Sequence, residues 1–276
     1  MERYLETNYI IEALNFYKVE NKDEILNILE EIHDDNNLNK LIKKYYDILF
    51  INKSDEYKKI KKYDVDSSIS NKYNKIILLT GYYLHLQNIN KRNYDLIQVN
   101  KQINIISNLL NEKYLLFDSL QWCSRFIRGN LFELGALQYE IMYNNPLESN
   151  KYRMNSFIKI HIPQSDNLNI KEVEKSLNNV EEYLKEHFKN INTTNVIYYT
   201  ESWLLSPELP NLLNSTSNIL KFQKYFNIIE IKENKEDFEK FVINNSKRRN
   251  TTLQRNLLDY LNNNKILHIG IGILKK

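Results

Sequence analysis

The sequence predicts an α+β protein: an α-helical N-terminal domain followed by a mixed α/β sheet domain. Three observations carry that expectation. Before Gly129 there is one glycine, Gly81, and no proline, whereas Pro146, Pro163, Pro207, Pro210 and the other four glycines lie at or beyond it. Glycine and proline punctuate turns, so the first part should consist of long helices with few tight turns. Apolar residues in that part recur at helical spacing, and after Gly129 strand-like and helix-like segments alternate.

The helical elements follow in order. Tyr9, Ile10, Leu14, Phe16 and Tyr17 fit one helical face, and so do Ile25, Leu26, Ile28, Leu29 and Ile32. Leu41, Ile42, Tyr45, Tyr46, Ile48 and Leu49 continue the pattern, and Tyr73 to Leu86 and Ile97 to Leu116 supply two more helices. Asp34 to Asn37 and Asn88 to Arg92 read as polar breaks. The helical domain is expected over residues 1–115 and the sheet domain over 116–276, with Phe117 to Ile127 as a connecting helix. The charged run Lys58 to Lys62 reads as a solvated face.

In the second domain, Leu131 to Tyr143 reads as a strand, Asn144 to Asn150 as a turn cluster and Arg153 to Pro163 as a second, antiparallel strand. Ile170 to Phe188 is amphipathic, with Val173, Leu177, Val180, Tyr183 and Leu184 on one side, and predicts a helix. A strand over Val196 to Thr200, a helix from Pro207, a strand over Phe222 to Ile231 and a short helix over Phe238 to Asn244 follow. Thr251 and Gln254 stand at the spacing of a capping box, which starts a helix to Leu261. Ile266 to Leu274 closes the chain as a strand.

Composition excludes several function classes. The 38 basic and 35 acidic residues are well mixed, for a net charge of +3, so no clustered basic stripe marks a nucleic-acid partner. Lys247, Arg248 and Arg249 form the one compact basic cluster of the second half. A single cysteine, Cys123, allows neither an internal disulfide nor a cysteine-rich zinc site, and reads as buried filler. No two histidines have metal-ligand spacing, so no metal is expected. His33, His85 and His187 read as helix-surface residues. There is no signal-peptide pattern at the N-terminus and no apolar run near the roughly 20 residues of a membrane helix. A soluble, cytoplasmic protein without a membrane partner is the expectation.

The chemistry is expected in Asn195 to Leu209. A buried strand stops there on Thr200, Glu201 and Ser202, a bulky Trp203-Leu204-Leu205 wedge follows, and Ser206-Pro207 opens a helix. A strand that turns polar just before a helix is where α/β folds commonly place a site. Glu201 is a candidate general base, the alternative being a carboxylate that caps the next helix or pairs with a lysine; as a base, a carboxylate at about pKa 4.3 is weak unless apolar neighbours raise it. Tyr198, Tyr199 and Trp203 are such neighbours.

The element order resembles the GNAT acyltransferase fold, and the motifs narrow the resemblance. Leu137-Gln138-Tyr139-Glu140 and His161-Ile162-Pro163 resemble two blocks of a GNAT-like family that pairs a helical N-terminal domain with a GNAT-like C-terminal domain. Glu201 to Leu205, Asn218 to Phe222 and Thr252 to Arg255 resemble three further blocks in the same order. Some members are N-acyltransferases that attach fatty acyl chains to the amino sugar of glycopeptide antibiotics. The resemblance therefore implies acyl transfer from acyl-coenzyme A, as co-substrate, to a small-molecule amine.

It also implies site residues. Glu201, Ser202 and His161 are the catalytic candidates, with Ser202 as donor to the thioester oxygen or departing thiolate. Pro163, Gln164 and Ser165 stand at the coenzyme A turn; Arg248 and Arg249, in a basic cluster just before the capped Thr251 helix, read either as a solvated loop or as candidates to meet the coenzyme A phosphates. Trp203, Tyr199 and Gln138 are the expected substrate-pocket residues. Two departures accompany the match: Gln164 to Leu168 contains no glycine where the family has a glycine-rich turn, and Glu201 replaces a histidine of the antibiotic-modifying relatives. A non-catalytic GNAT-like binding module that has lost coenzyme A handling is the alternative reading.

Overall fold

A computed structural model describes residues 3–52, 71–147, 155–163, 168–243, 251–263 and 265–275. Two compact units emerge: one built mainly from residues up to Glu133, together with Glu140–Asn144 and Lys185–Lys189, the other from most of the remainder.

The first unit contains helices α1 (Thr7–Phe16), α2 (Lys22–Asp34), α3 (Asn36–Tyr46), α4 (Asn74–Thr80), α5 (Tyr82–Arg92), α6 (Leu96–Asn111) and α7 (Phe117–Ile127). Their apolar stripes meet in one core that includes Ile10, Leu14, Leu29, Ile42, Ile106 and Leu120. Asp35 alone separates α2 from α3, because its side chain accepts the Asn37 and Leu38 N–H groups and caps the new helix. The expected helix over Tyr73 to Leu86 is two helices, divided at Gly81. A Cβ there would lie 2.8 Å from Ile127 Cγ2, so the glycine lets helices approach closely. Asn88 to Arg92 is helical rather than a break, and the chain turns at Asn93, whose φ of 51° is left-handed.

His85 also departs from expectation. It is fully buried, with Nδ1 2.8 Å from the Tyr17 hydroxyl and Nε2 2.9 Å from Gln102 Oε1. Burial pushes its pKa down to about 4, so it is a neutral structural link. Cys123 is buried as expected, and burial pushes its thiol up to about 12, which makes it unreactive.

The sheet contains β1 (Leu131–Leu134), β2 (Leu137–Met142), β3 (Ser156–His161), β4 (Val196–Ser202), β5 (Phe226–Glu233) and β6 (His268–Leu274), in the order β1-β2-β3-β4-β6-β5. Leu131 to Tyr143 is thus not one strand but a hairpin. Gly135, at φ +59°, opens its two-residue turn. Strands β3 and β4 are parallel, and β6 is antiparallel to both β4 and β5.

Between β3 and β4 the chain forms α8 (Ile170–His187), and after β4 come α9 (Leu209–Leu212) and α10 (Asn218–Gln223). The expected strand from Phe222 begins only at Phe226. Ser217 caps α10 by accepting from Ile219 N, and Phe222 belongs to that helix, with its ring 5.0 Å from the Phe226 ring. The helix expected from Pro207 begins at Leu209 as the four-residue α9, and a 3-10 turn over Trp203–Leu205 precedes it. α11 (Lys235–Phe238) runs into a π-helical turn over Glu239–Ile243, and α12 (Thr252–Asn262) starts with both halves of the Thr251–Gln254 capping box formed. β6 begins at His268 rather than Ile266, which is exposed. Lys58 to Lys62 lies outside the described residues, as do Asn150, where the expected turn cluster ends, and Arg153, where the second strand was expected to start.

Candidate active site

The parallel pairing of β3 with β4 runs from Ser156↔Val196 to Lys159↔Tyr199. Past that point β3 continues through Ile160 and His161, and β4 goes on to pair β6 through Glu201↔Ile271 and Ser202↔Gly270. The carboxyl ends of the two neighbouring strands therefore lie beyond their shared register. In parallel α/β sheets that is where a ligand finds main-chain groups available.

Side-chain alternation sorts the residues at this end by face. Tyr139 on β2 hydrogen-bonds Ser176 of α8 at 2.9 Å, which sets α8 against the face that carries Tyr139. Gln138 points to the other face and is buried. On β4, Tyr198 faces Glu181 of α8, so Tyr199 and Glu201 are turned away from that helix. Lys159 is the register partner of Tyr199, and His161, two residues on, shares its face. Gln138, Lys159, His161, Tyr199 and Glu201 thus lie on one face of the sheet.

Glu201 is the charged centre of the group. Its Oε2 lies 3.1 Å from Lys159 Nζ and its Oε1 3.5 Å from Lys232 Nζ on β5. Burial pushes the carboxyl up, but the Lys159 ammonium and then Lys232 outweigh it, and the net shift is downward. The expectation that apolar neighbours raise this group is corrected: at neutral pH it is a carboxylate held by two lysines. Tyr199 is buried, with its ring edge-on to Phe157 at 6.4 Å and the Lys159 ammonium 6.0 Å from its centroid.

Ser202 ends β4 in extended conformation, and its Oγ accepts the Leu204 N–H at 3.1 Å, capping the 3-10 turn. That turn rests on β6 where β6 has no side chains. A Cβ on Gly270 would meet Leu205 O at 2.5 Å, and one on Gly272 would meet Leu205 Cδ1 at 2.5 Å. Trp203 packs in a cluster with Leu209, Leu212, Phe238, Val242, Leu257 and Ile269. Its ring is 5.9 Å from that of Phe238. The corner is further tied by Glu208, nearly buried, which accepts from the Ser206 hydroxyl and from His268 Nδ1 at 2.6 Å.

Pro163 is half-buried just past β3. Gln164, Ser165, Arg248 and Arg249 lie outside the described residues. Sequence reasoning missed Lys159, Lys232 and the Glu208–His268 pair. A lysine inside the alternating run Phe157-Ile-Lys-Ile-His161 was the one available signal. Among the described residues no group of three or more His, Cys, Asp or Glu is placed to hold a metal ion, and no helix is long and apolar enough to cross a membrane.

A family model for the GNAT-like C-terminal domain matches residues 131–274, just over half of the chain. The protein belongs to that family. Its fold resembles a crystal structure of an acyltransferase in complex with decanoyl-CoA, with a TM-score of 0.69 and 17% identity over 95% of this chain and 86% of that one. A second, of an acyltransferase in complex with decanoyl-CoA and teicoplanin, gives a TM-score of 0.68 and 16% identity over 96% of this chain and 86% of that one. At such identity the likeness establishes the fold. No curated protein matches the sequence.

Proposed function

We propose that this protein is an acyl-CoA-dependent N-acyltransferase that moves an acyl group from a coenzyme A thioester to a small-molecule amine. The observation that carries the reading is the position of Glu201. It is a carboxylate on the strand that continues past the β3–β4 register, on the same sheet face as His161 and Lys159. Structures of like fold bind decanoyl-CoA and teicoplanin, which supports a thioester donor and a small-molecule acceptor.

The donor enters at the strand ends past Lys159 and Tyr199, where a main-chain N–H hydrogen-bonds the thioester oxygen as negative charge develops on it. The neutral amine attacks the carbonyl carbon, and Glu201, directly or through one water, accepts the amine proton. The C–S bond then breaks. A simple thiol has a pKa of about 8.5, so the thiolate leaves without an acid. The Ser202 oxygen is occupied by the Leu204 N–H, but its hydrogen remains to donate to the departing sulfur. Coenzyme A phosphates meet the segment between β3 and α8, with Pro163, Gln164 and Ser165 at its start and Arg248 and Arg249 as further cations. Gln138, Tyr199 and Trp203 shape the substrate side.

One observation favours the alternative of a binding module without catalysis: Gln164 to Leu168 has no glycine to bring main-chain N–H groups to a diphosphate. Turnover separates the two. Glu201→Gln is expected to retain acyl-CoA binding and lose about 10²–10⁴-fold in kcat/KM for amine acylation. Unchanged turnover removes Glu201 from the mechanism. Tight acyl-CoA binding with no transfer to any of a panel of primary amines selects the binding module.

A further inference from the structure

We infer that the protein forms a two-fold dimer by pairing β5 with the β5 of a second copy. Among the described residues β5 is an edge of the sheet, with β6 on its one paired side. Every residue of the strand except Phe226 is exposed. Ile228, Ile229 and Ile231 are 41%, 47% and 50% exposed. An edge strand presents unpaired N–H and C=O groups, and monomeric proteins blunt such edges with charges, prolines or bulges. β5 does carry an irregularity, between Ile228 and Glu230, yet three isoleucines remain in water beside it.

The main-chain pattern specifies which groups are open. Asn234 N donates to Leu267 O at 3.1 Å, continuing the register in which Glu233 faces His268. Hydrogen-bonding direction alternates along an antiparallel strand. Lys232 and Glu230 therefore turn their main-chain groups to β6, and Ile231 and Glu233 turn theirs outward. A second strand must bond to Ile231 and Glu233.

Charge selects the register. Centred on Ile231, a two-fold axis lets the Ile231 residues of the two copies exchange both main-chain bonds and puts Glu230 of each copy opposite Lys232 of the other, twice. Shifting the pairing one step either way sets Glu230 against Glu230 or Lys232 against Lys232, and like charges directly opposite are unfavourable. All three registers satisfy the two-fold symmetry of an isologous interface, and of the three only the central one sets unlike charges opposite each other. The Ile231 residues of the two copies then lie directly opposite each other. Lys232 also lies 3.5 Å from Glu201, so pairing draws on the lysine that flanks the candidate base. The inference itself stands without the acyl-transfer reading.

Sedimentation velocity of the full chain over a concentration series tests it. Wild type should be a dimer. Glu230→Lys should be monomeric, because it sets lysine against lysine, and Glu230→Lys with Lys232→Glu should restore the dimer. Ile231→Thr, which keeps a strand-forming residue, should weaken the dimer at least tenfold and serves if a charge variant loses its thermal transition. A wild type that stays monomeric overturns the inference. So does a dimer untouched by Glu230→Lys or Ile231→Thr, or a folded double variant that remains monomeric.

Discussion

Glu201 shows how a residue's chemistry depends on neighbours that are remote in sequence. Its place at the polar end of an apolar strand is legible from Val196 to Ser202 alone, as are Ser202 beside it and His161 at the end of the preceding strand. Lys159 was not legible as its partner. That pairing needs the register of two parallel strands about forty residues apart, which no local pattern encodes. The consequence is a carboxyl held below its ordinary value, against the upward push of burial. The carboxylate form, and with it any base activity, is present above that lowered pKa and is lost as the pH falls through it. Lys159→Met removes the main lowering influence while burial remains. The acidic limb of the kcat/KM profile should therefore move to higher pH. A limb that stays in place means that Glu201 is not the group whose titration limits the rate.

Elements were legible where a local signal stood alone. Phe117–Ile127 forms the expected helix, and the Thr251–Gln254 box caps the next-to-last element as its spacing requires. Thr251→Ala should cost about 1 kcal/mol in urea unfolding. Signals failed where two competed. Phe222 belongs to a helix because Ser217 caps it, although its aromatic neighbours read as strand. Gly135 folds one apparent strand into a hairpin. The alternation Gly270-Ile-Gly272 has its reason in the Trp203–Leu205 turn seated on the bare side of β6. Gly270→Val should overpack that contact and destabilise by about 1–3 kcal/mol. An unchanged denaturation midpoint would mean that the turn can lift from β6 freely. Glu140 is almost wholly buried and is held by Arg125 at 3.1 Å. Arg125→Met should cost about 3–5 kcal/mol, since it removes a hydrogen-bonded cation from a buried carboxylate.

For the whole molecule, the contrast in glycine and proline use between the two parts of the sequence corresponds to a change from helices to a six-stranded mixed sheet. That order was legible because the segments are long and their periods differ. The sequence alone could not supply the strand order of the sheet, the inward direction of His85 or the shared face of Lys159, His161 and Glu201, because each depends on tertiary packing. The central claim is that the open end of β3 and β4 takes an acyl-CoA thioester. Thermal unfolding with and without decanoyl-CoA tests it most directly. A ligand that binds only the folded state stabilises it by about 2.7 kcal/mol at a hundredfold excess over Kd. The melting temperature should rise with decanoyl-CoA concentration and rise equally in Glu201→Gln, which keeps the binding surface. No rise at millimolar decanoyl-CoA would contradict the claim.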